Sequence, residues 1–188
     1  MDITPCAIPE ILLVETRWFT EARGSFSETY NRRSWQQAGL TPDFCQDNHA
    51  VSTEAGTVRG LHFQRPPSAQ AKLIRVLKGA ILDVAVDIRV GSPFYGKAVA
   101  VELSAENRLQ LFVPRGFAHG YCTLAPYTEV AYKVDAFYDP SSEGGILWND
   151  PALDIPWPAC AHHAITRDLA WPQLADLQPC FTYDVGTP

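Results

Sequence analysis

This 188-residue chain lacks most of the features that assign a protein at a glance. Its five cysteines (Cys6, Cys45, Cys122, Cys160 and Cys180) are odd in number, scattered, and never form a CxxC pair. That pattern excludes a disulfide framework and a thiolate zinc site, and fits free thiols in a reducing compartment. The longest apolar run, starting at Ala80-Ile81-Leu82, is cut by Asp83, far short of the roughly 20 residues of a membrane span. The first ten residues, MDITPCAIPE, carry no basic segment before an apolar stretch, so no signal peptide is expected. Basic residues are the minority: 15 Lys+Arg against 21 Asp+Glu give a formal charge of −6. This argues against a general binder of nucleic acid or anionic membranes. A small phosphorylated ligand stays possible, because a local Arg/Lys cluster outweighs the global sum. No internal repeat or low-complexity tract is present. The expectation is a single soluble, cytoplasmic domain spanning residues 1–188.

What the chain does have is punctuation. Fifteen prolines and twelve glycines divide it into short segments, too many breaks for a helical bundle. One helix is expected over Arg32 to Ala38, with Asn31 as N-cap and Gly39 as the stop. From Gln46 the texture changes to short runs rich in Val, Ile, Leu and aromatics. Leu73–Leu77, Ile81–Ile88, Ala98–Leu103, Leu109–Val113 and Thr128–Lys133 have strand length and β-branched content. Lys78-Gly79 and Ser104–Asn107 read as hairpin connections. Strands so spaced predict an all-β protein, an antiparallel barrel or double-sheet jelly roll with a few short helices. The jelly-roll core is expected over about 46–140. A Pro-, Trp- and Asp-rich tail, about 141–188, is expected to wrap it, with a short helix near Thr166.

Two motifs carry the chemistry: Arg59-Gly60-Leu61-His62-Phe63-Gln64 and Pro114-Arg115-Gly116-Phe117-Ala118-His119-Gly120. The second matches the PxGxxH strand of a cupin jelly roll, where Pro and Gly make a turn that sends His inward. A metal cupin needs His-x-His and a nearby acid on the earlier strand, but here Gln64 replaces the second His and Pro66-Pro67 follow. His62 and His119 alone leave a transition metal short of ligands, so no cofactor or metal is expected. Proton-transfer groups remain. Imidazole titrates near neutral pH, which makes His62 the best general base. Lys72 interrupts an apolar strand, and an inward cation there suits an oxyanion that forms during reaction. Tyr132 and Tyr138 offer phenolic donors, and Asp168 an orienting carboxylate for a histidine. Together they suit proton abstraction beside a carbonyl. Each residue also has a plainer reading: a core histidine, a lysine alternating to solvent, ordinary strand aromatics, a helix-start aspartate, and an Arg23–Glu28 surface ion pair.

The ordered set of segments resembles the dTDP-4-dehydrorhamnose 3,5-epimerase family. It comprises Arg23-Gly24-Ser25-Phe26-Ser27-Glu28, Gln46-Asp47-Asn48-His49, Arg59 to Gln64, Lys72, Asp83 to Arg89, Gly91-Ser92-Pro93, Pro114 to Gly120, Tyr132-Lys133 with Tyr138, and Trp148 to Pro151. The resemblance runs from about Phe19 to Asp168. It implies a cupin-type jelly roll, no cofactor, and a homodimer with shared active sites formed through an N-terminal arm of about 1–45. The reaction implied converts dTDP-4-dehydro-6-deoxy-D-glucose to dTDP-4-dehydro-β-L-rhamnose, the precursor of activated rhamnose. By the family pattern His62 is the base assisted by Asp168, Lys72 holds the enolate oxygen, and Tyr132 returns the proton. Arg23 and Arg59 resemble pyrophosphate ligands; Gln46, Asn48 and His119 resemble sugar- and phosphate-side contacts. Phe19, Phe26 and Glu28 resemble nucleotide contacts, some presented by the partner. The chain departs from the pattern at Phe94-Tyr95, at Thr166-Arg167-Asp168 and at Ala170. The alternative is a mono-epimerase of an antibiotic-sugar pathway, which inverts C3 or C5 only, the surroundings of Tyr138 deciding which. A metal-dependent cupin oxygenase and a non-catalytic sugar-nucleotide binding module are the rivals from other classes.

Overall fold

The computed structural model describes residues 1–184; the last four positions of the expected wrap, 185–188, lie outside the described residues. In chain order the strands are β1 (Asp2–Pro5), β2 (Leu12–Glu15), β3 (Trp18–Glu21), β4 (Gly24–Ser27), β5 (Gln46–Ser52), β6 (Val58–Gln64) and β7 (Lys72–Lys78). They continue with β8 (Ala80–Asp87), β9 (Ala98–Ser104), β10 (Leu109–Val113), β11 (Phe117–Thr123), β12 (Thr128–Val134) and β13 (Glu143–Gly145). The described residues also form two α-helices, α1 (Arg32–Gln37) and α2 (Thr166–Leu169), and three short 3-10 turns at Pro140–Ser142, Pro151–Leu153 and Leu174–Asp176. One sheet has the order β1-β2-β10-β7-β12-β5 and faces a second, β13-β6-β11-β8-β9. Pairing is antiparallel throughout both, so the chain folds as a cupin-like jelly roll. A separate hairpin joins β3 to β4.

The two connections read as hairpins are something else. Lys78-Gly79 leads from β7 in the first sheet to β8 in the second, and Ser104–Asn107 leads from β9 in the second to β10 in the first. Both are crossovers at the barrel edge. Short polar or Gly-containing joints mark a sharp reversal, but sequence does not say whether the next strand pairs with its predecessor or faces it. Gly79 is obligatory at its corner: its φ is +76°, and a Cβ there would lie 2.4 Å from Thr128 Oγ1.

Alternation along the strands builds a layered core. Ile74, Val76, Ile81, Ala85, Leu103, Leu111, Phe117 and Val130 meet between the sheets. Val84, Val86, Leu61, Phe63, Ala118 and Cys122 face the other way, where Ile146, Trp148 and Leu153 of the C-terminal segment cover them. Strands β8 and β11 are therefore buried on both faces, which is why they read as nearly continuous apolar runs. Helix α1 begins at Asn31, whose side chain accepts from the Arg33 and Ser34 amides. It buries Trp35 against Phe112, Tyr30 and Phe44 on the outside of the first sheet.

Candidate active site

The RGLHFQ motif forms β6 and the FAHG motif forms β11, and His62 and His119 are register partners. Gly60 and Gly120 allow that pairing at close range. A Cβ on Gly120 would lie 2.6 Å from Arg59 O, and one on Gly60 2.6 Å from the Gly120 Cα. Gly116, at φ +90°, turns the chain into β11 so that His119 lies on the inner face. On the opposite sheet, Lys72 shares its face of β7 with Ile74 and Val76, so it points inward and not to solvent. Tyr132 comes from β12, and α2 supplies Asp168.

These groups line a cavity of about 350 Å³ containing His62, Lys72, Tyr132, Asp168, Arg59, His119 and Tyr138. An adjoining lobe of about 230 Å³ adds Gln46 and Asn48 and shares His62, Lys72, Tyr132 and Tyr138. Asp168, 1% exposed, is the pivot. Its Oδ1 lies 2.8 Å from His62 Nε2, and its Oδ2 accepts from the Gly60 amide at 3.2 Å. Burial works to raise the Asp168 carboxyl, but the His62 hydrogen bond and charge, the Gly60 amide and Arg167 outweigh it and hold it low. An anionic Asp168 accepts the Nε2 proton and leaves the Nδ1 lone pair of His62 free. Asp168 lies in the first turn of α2, as a helix-start residue would, but its side chain makes no cap there and serves His62 and Gly60 instead.

Lys72 Nζ donates to the His62 carbonyl at 3.5 Å. Burial brings its pKa down to about 8, against the opposing pull of Asp83 and Glu143. Tyr132 is raised by burial, with Arg59 drawing it back, so it stays a protonated donor at neutral pH. His119 Nε2 lies 2.8 Å from Asp83 Oδ1, and burial lowers its pKa despite that carboxylate. Arg59 bonds Ser52 Oγ and the Val51 carbonyl. Gln64, where a metal cupin carries its second His, ties down a loop instead. Its amide donates to the Ser68 and Phe137 carbonyls and accepts from the Asp139 amide, fixing the neighbours of Tyr138. Among the described residues no group of three or more His, Cys, Asp or Glu is arranged to hold a metal ion.

Four expected binding residues lie elsewhere. Phe19, Arg23 and Phe26 sit on the β3–β4 hairpin and Glu28 just after it, and none lines either lobe. Phe19 is 51% and Phe26 67% exposed. Arg23 pairs with Glu21 at 2.5 Å, not with Glu28 as the ion-pair reading had it. Arg23 lies in the turn only two positions after Glu21, which ends β3, closer to hand than Glu28. Sequence reasoning also missed residues that the cavity contains: Glu143, Arg167, Tyr121, Thr57 and Ile165. Glu143 Oε2 accepts from Arg167 at 3.2 Å and from the Tyr138 hydroxyl at 3.3 Å. Glu143 and Arg167 carry no signal that sets them apart from solvated charge in a tail read as a wrap, and Tyr121, Thr57 and Ile165 none that sets them apart from ordinary barrel and loop residues.

A jelly roll whose interior holds a carboxylate-paired imidazole, an ammonium and a phenol, on two facing sheets, belongs to the cupin-like enzymes that move protons. The chain matches the family model for dTDP-4-dehydrorhamnose 3,5-epimerase over residues 5–176 and belongs to that family. A Salmonella typhimurium dTDP-4-dehydrorhamnose 3,5-epimerase is 50% identical over 159 residues, 84% of this chain and 86% of that one. The crystal structure of a Bacillus anthracis enzyme of the same name, with TDP and PPi bound, is 46% identical. It superposes with a TM-score of 0.89, covering 92% of this chain and 98% of the other. A Legionella pneumophila dTDP-6-deoxy-D-glucose-3,5-epimerase in complex with dTDP-4-keto-L-rhamnose has a TM-score of 0.93 at 37% identity, covering 98% and 99%. This chain is accordingly an isomerase, a carbohydrate epimerase.

Proposed function

We propose that the chain inverts C3 and C5 of dTDP-4-dehydro-6-deoxy-D-glucose, giving dTDP-4-dehydro-β-L-rhamnose, with His62 as base and Tyr132 as acid. The carrying observation is that His62 and Tyr132 face one cavity from opposite sheets. The C4 ketone acidifies the C–H bonds at C3 and C5. His62, its Nε2–H engaged by Asp168, removes each proton through Nδ1; Lys72 neutralises the enolate oxygen; Tyr132 delivers a proton to the opposite face. A base and an acid each supply on the order of 10²–10⁴ in rate, and an oxyanion donor about 10²–10³. Arg59 and His119 face the phosphate and sugar, with Gln46 and Asn48 at the adjoining lobe and Tyr138 at the rim.

The substrate class is supported by the ligands of the Bacillus anthracis and Legionella pneumophila structures, a nucleoside diphosphate and a dTDP-ketosugar. The hairpin bearing Phe19, Arg23 and Phe26, with Glu28 beyond it, then contacts nucleotide in a second copy's cavity, and the working unit is a homodimer. The test is incubation with the 4-ketosugar nucleotide in D₂O, followed by NMR. Deuterium at both C3 and C5 is expected. Label at one carbon alone would replace this reading by the mono-epimerase.

A further inference from the structure

One acidic side chain in the barrel interior has no part in the scheme above. Asp83 lies on β8, on the inner face with Ile81 and Ala85, and is 0% exposed. Its Oδ1 engages His119 Nε2 at 2.8 Å, while Oδ2 has no hydrogen-bond partner among the described residues. A wholly buried carboxylate with a free oxygen is costly unless a nearby cation compensates it. A cation inside the barrel is Lys72, projecting from the facing sheet.

We infer that Asp83 is a positioning residue of the epimerisation, its carboxylate orienting the His119 ring and keeping Lys72 an ammonium. Asp83 does not itself line the cavity; it bonds His119, which does, and favours the charge of Lys72 across the space between the sheets. Burial, against the pull of Asp83, keeps His119 neutral; with its Nε2–H engaged by Asp83, Nδ1 is the free ring atom, so this histidine meets substrate as a hydrogen-bond acceptor for a sugar hydroxyl. Burial alone would drive Lys72 towards the neutral amine, which cannot balance an enolate charge. The groups around Lys72 are Asp83 on β8, Glu143 on β13, His62 on β6, His119 on β11 and Tyr132 on β12, with Tyr138, Arg59, Arg167 and Asp168 at the cavity wall. Of these, Asp83 and then Glu143 are the carboxylates that favour its charge.

The inference rests on the epimerase reading, and two readouts separate them. Lys72 acts while protonated, so its contribution is full below its pKa, about 8, and is lost as pH rises through it, which sets the basic limb of the activity profile. In Asp83→Asn the amide keeps the shape and removes the charge. The basic limb of the kcat–pH profile is then expected to move acidward by about one unit, as loss of a neighbouring opposite charge does. KM should change little, and the ratio of variant to parent kcat should return towards one as pH is lowered. The chain has four lysines, Lys72, Lys78, Lys97 and Lys133, so ¹³Cε-lysine NMR of the resting enzyme follows Lys72 directly and should show the same shift. Where the amide is not accommodated, Asp83→Ser gives the same readout. A kcat lowered equally at every pH, or an unmoved Lys72 titration, would overturn the inference. Absence of deuterium uptake by the unmutated enzyme overturns the epimerase reading instead, and the Lys72 titration, recorded without substrate, still decides the part played by Asp83.

Discussion

Two sectors of the same barrel interior are built to opposite rules. Along β7, Ile74 and Val76 follow Lys72 on one face; along β8, Asp83 lies between Ile81 and Ala85; along β11, His119 lies between Phe117 and Tyr121. The apolar sector is the ordinary source of stability, about 1.5–3 kcal/mol for each large side chain fully buried. The ionisable sector runs against that: a carboxylate without a full set of partners, an ammonium pulled towards neutrality, and a histidine kept from charging. Perturbed groups gathered beside a cavity are what catalysis requires and stability does not. The contrast lies between neighbours two residues apart, so the strands serve both ends at once.

Substitutions in the two sectors should therefore fail differently. His62→Asn and Tyr132→Phe are expected to lower turnover by on the order of 10²–10⁴ each, while dTDP affinity by calorimetry and the unfolding midpoint stay near the parent values. Unchanged turnover with dTDP still bound would reduce the chain to a binding module and erase the distinction. Leu103→Ala, in the apolar sector and fully buried, should cost about 2–5 kcal/mol in denaturant unfolding, with the surviving folded fraction turning over at the parent rate. A kcat loss exceeding the stability loss would show that the sectors are coupled. The hairpin gives the smallest effect. Phe26→Ala, at a largely exposed site, should leave stability within about 0.5 kcal/mol. If a second copy's cavity receives that ring, the variant should nevertheless weaken dTDP binding several-fold at constant kcat, and an unchanged affinity would detach the hairpin from the site.

Local chemistry was legible where one residue determines it. Asn31 capped its helix because its side-chain oxygen reaches the next amides whatever surrounds it. The inward direction of His119 followed from a Pro-x-Gly turn, and Leu73–Leu77 and Thr128–Lys133 fell within strands because β-branched runs fit a pleat. The two crossovers misread as hairpins mark the limit: a reversal is local, whereas the choice of pairing partner depends on strands distant in sequence. The site shows the same limit. Lys72 stands out as a cation in an apolar strand, His62 as the best base and Tyr132 as a phenolic donor, while Glu143 and Arg167 lie in a Pro-, Trp- and Asp-rich tail where nothing distinguishes them from solvated charge.

By itself the sequence determined the all-β composition, the positions of turns and caps, and the set of ionisable residues out of place in apolar strands. Those depend on backbone preference and side-chain type over a few residues. Only the tertiary structure decided which strands face each other, that the His62–Asp168 pair forms across 106 positions of chain, and that Asp83 shares the interior with Lys72. These are properties of distance in space. In a chain of −6 formal charge, which few basic residues converge on one cavity is settled by the folding of two sheets against each other.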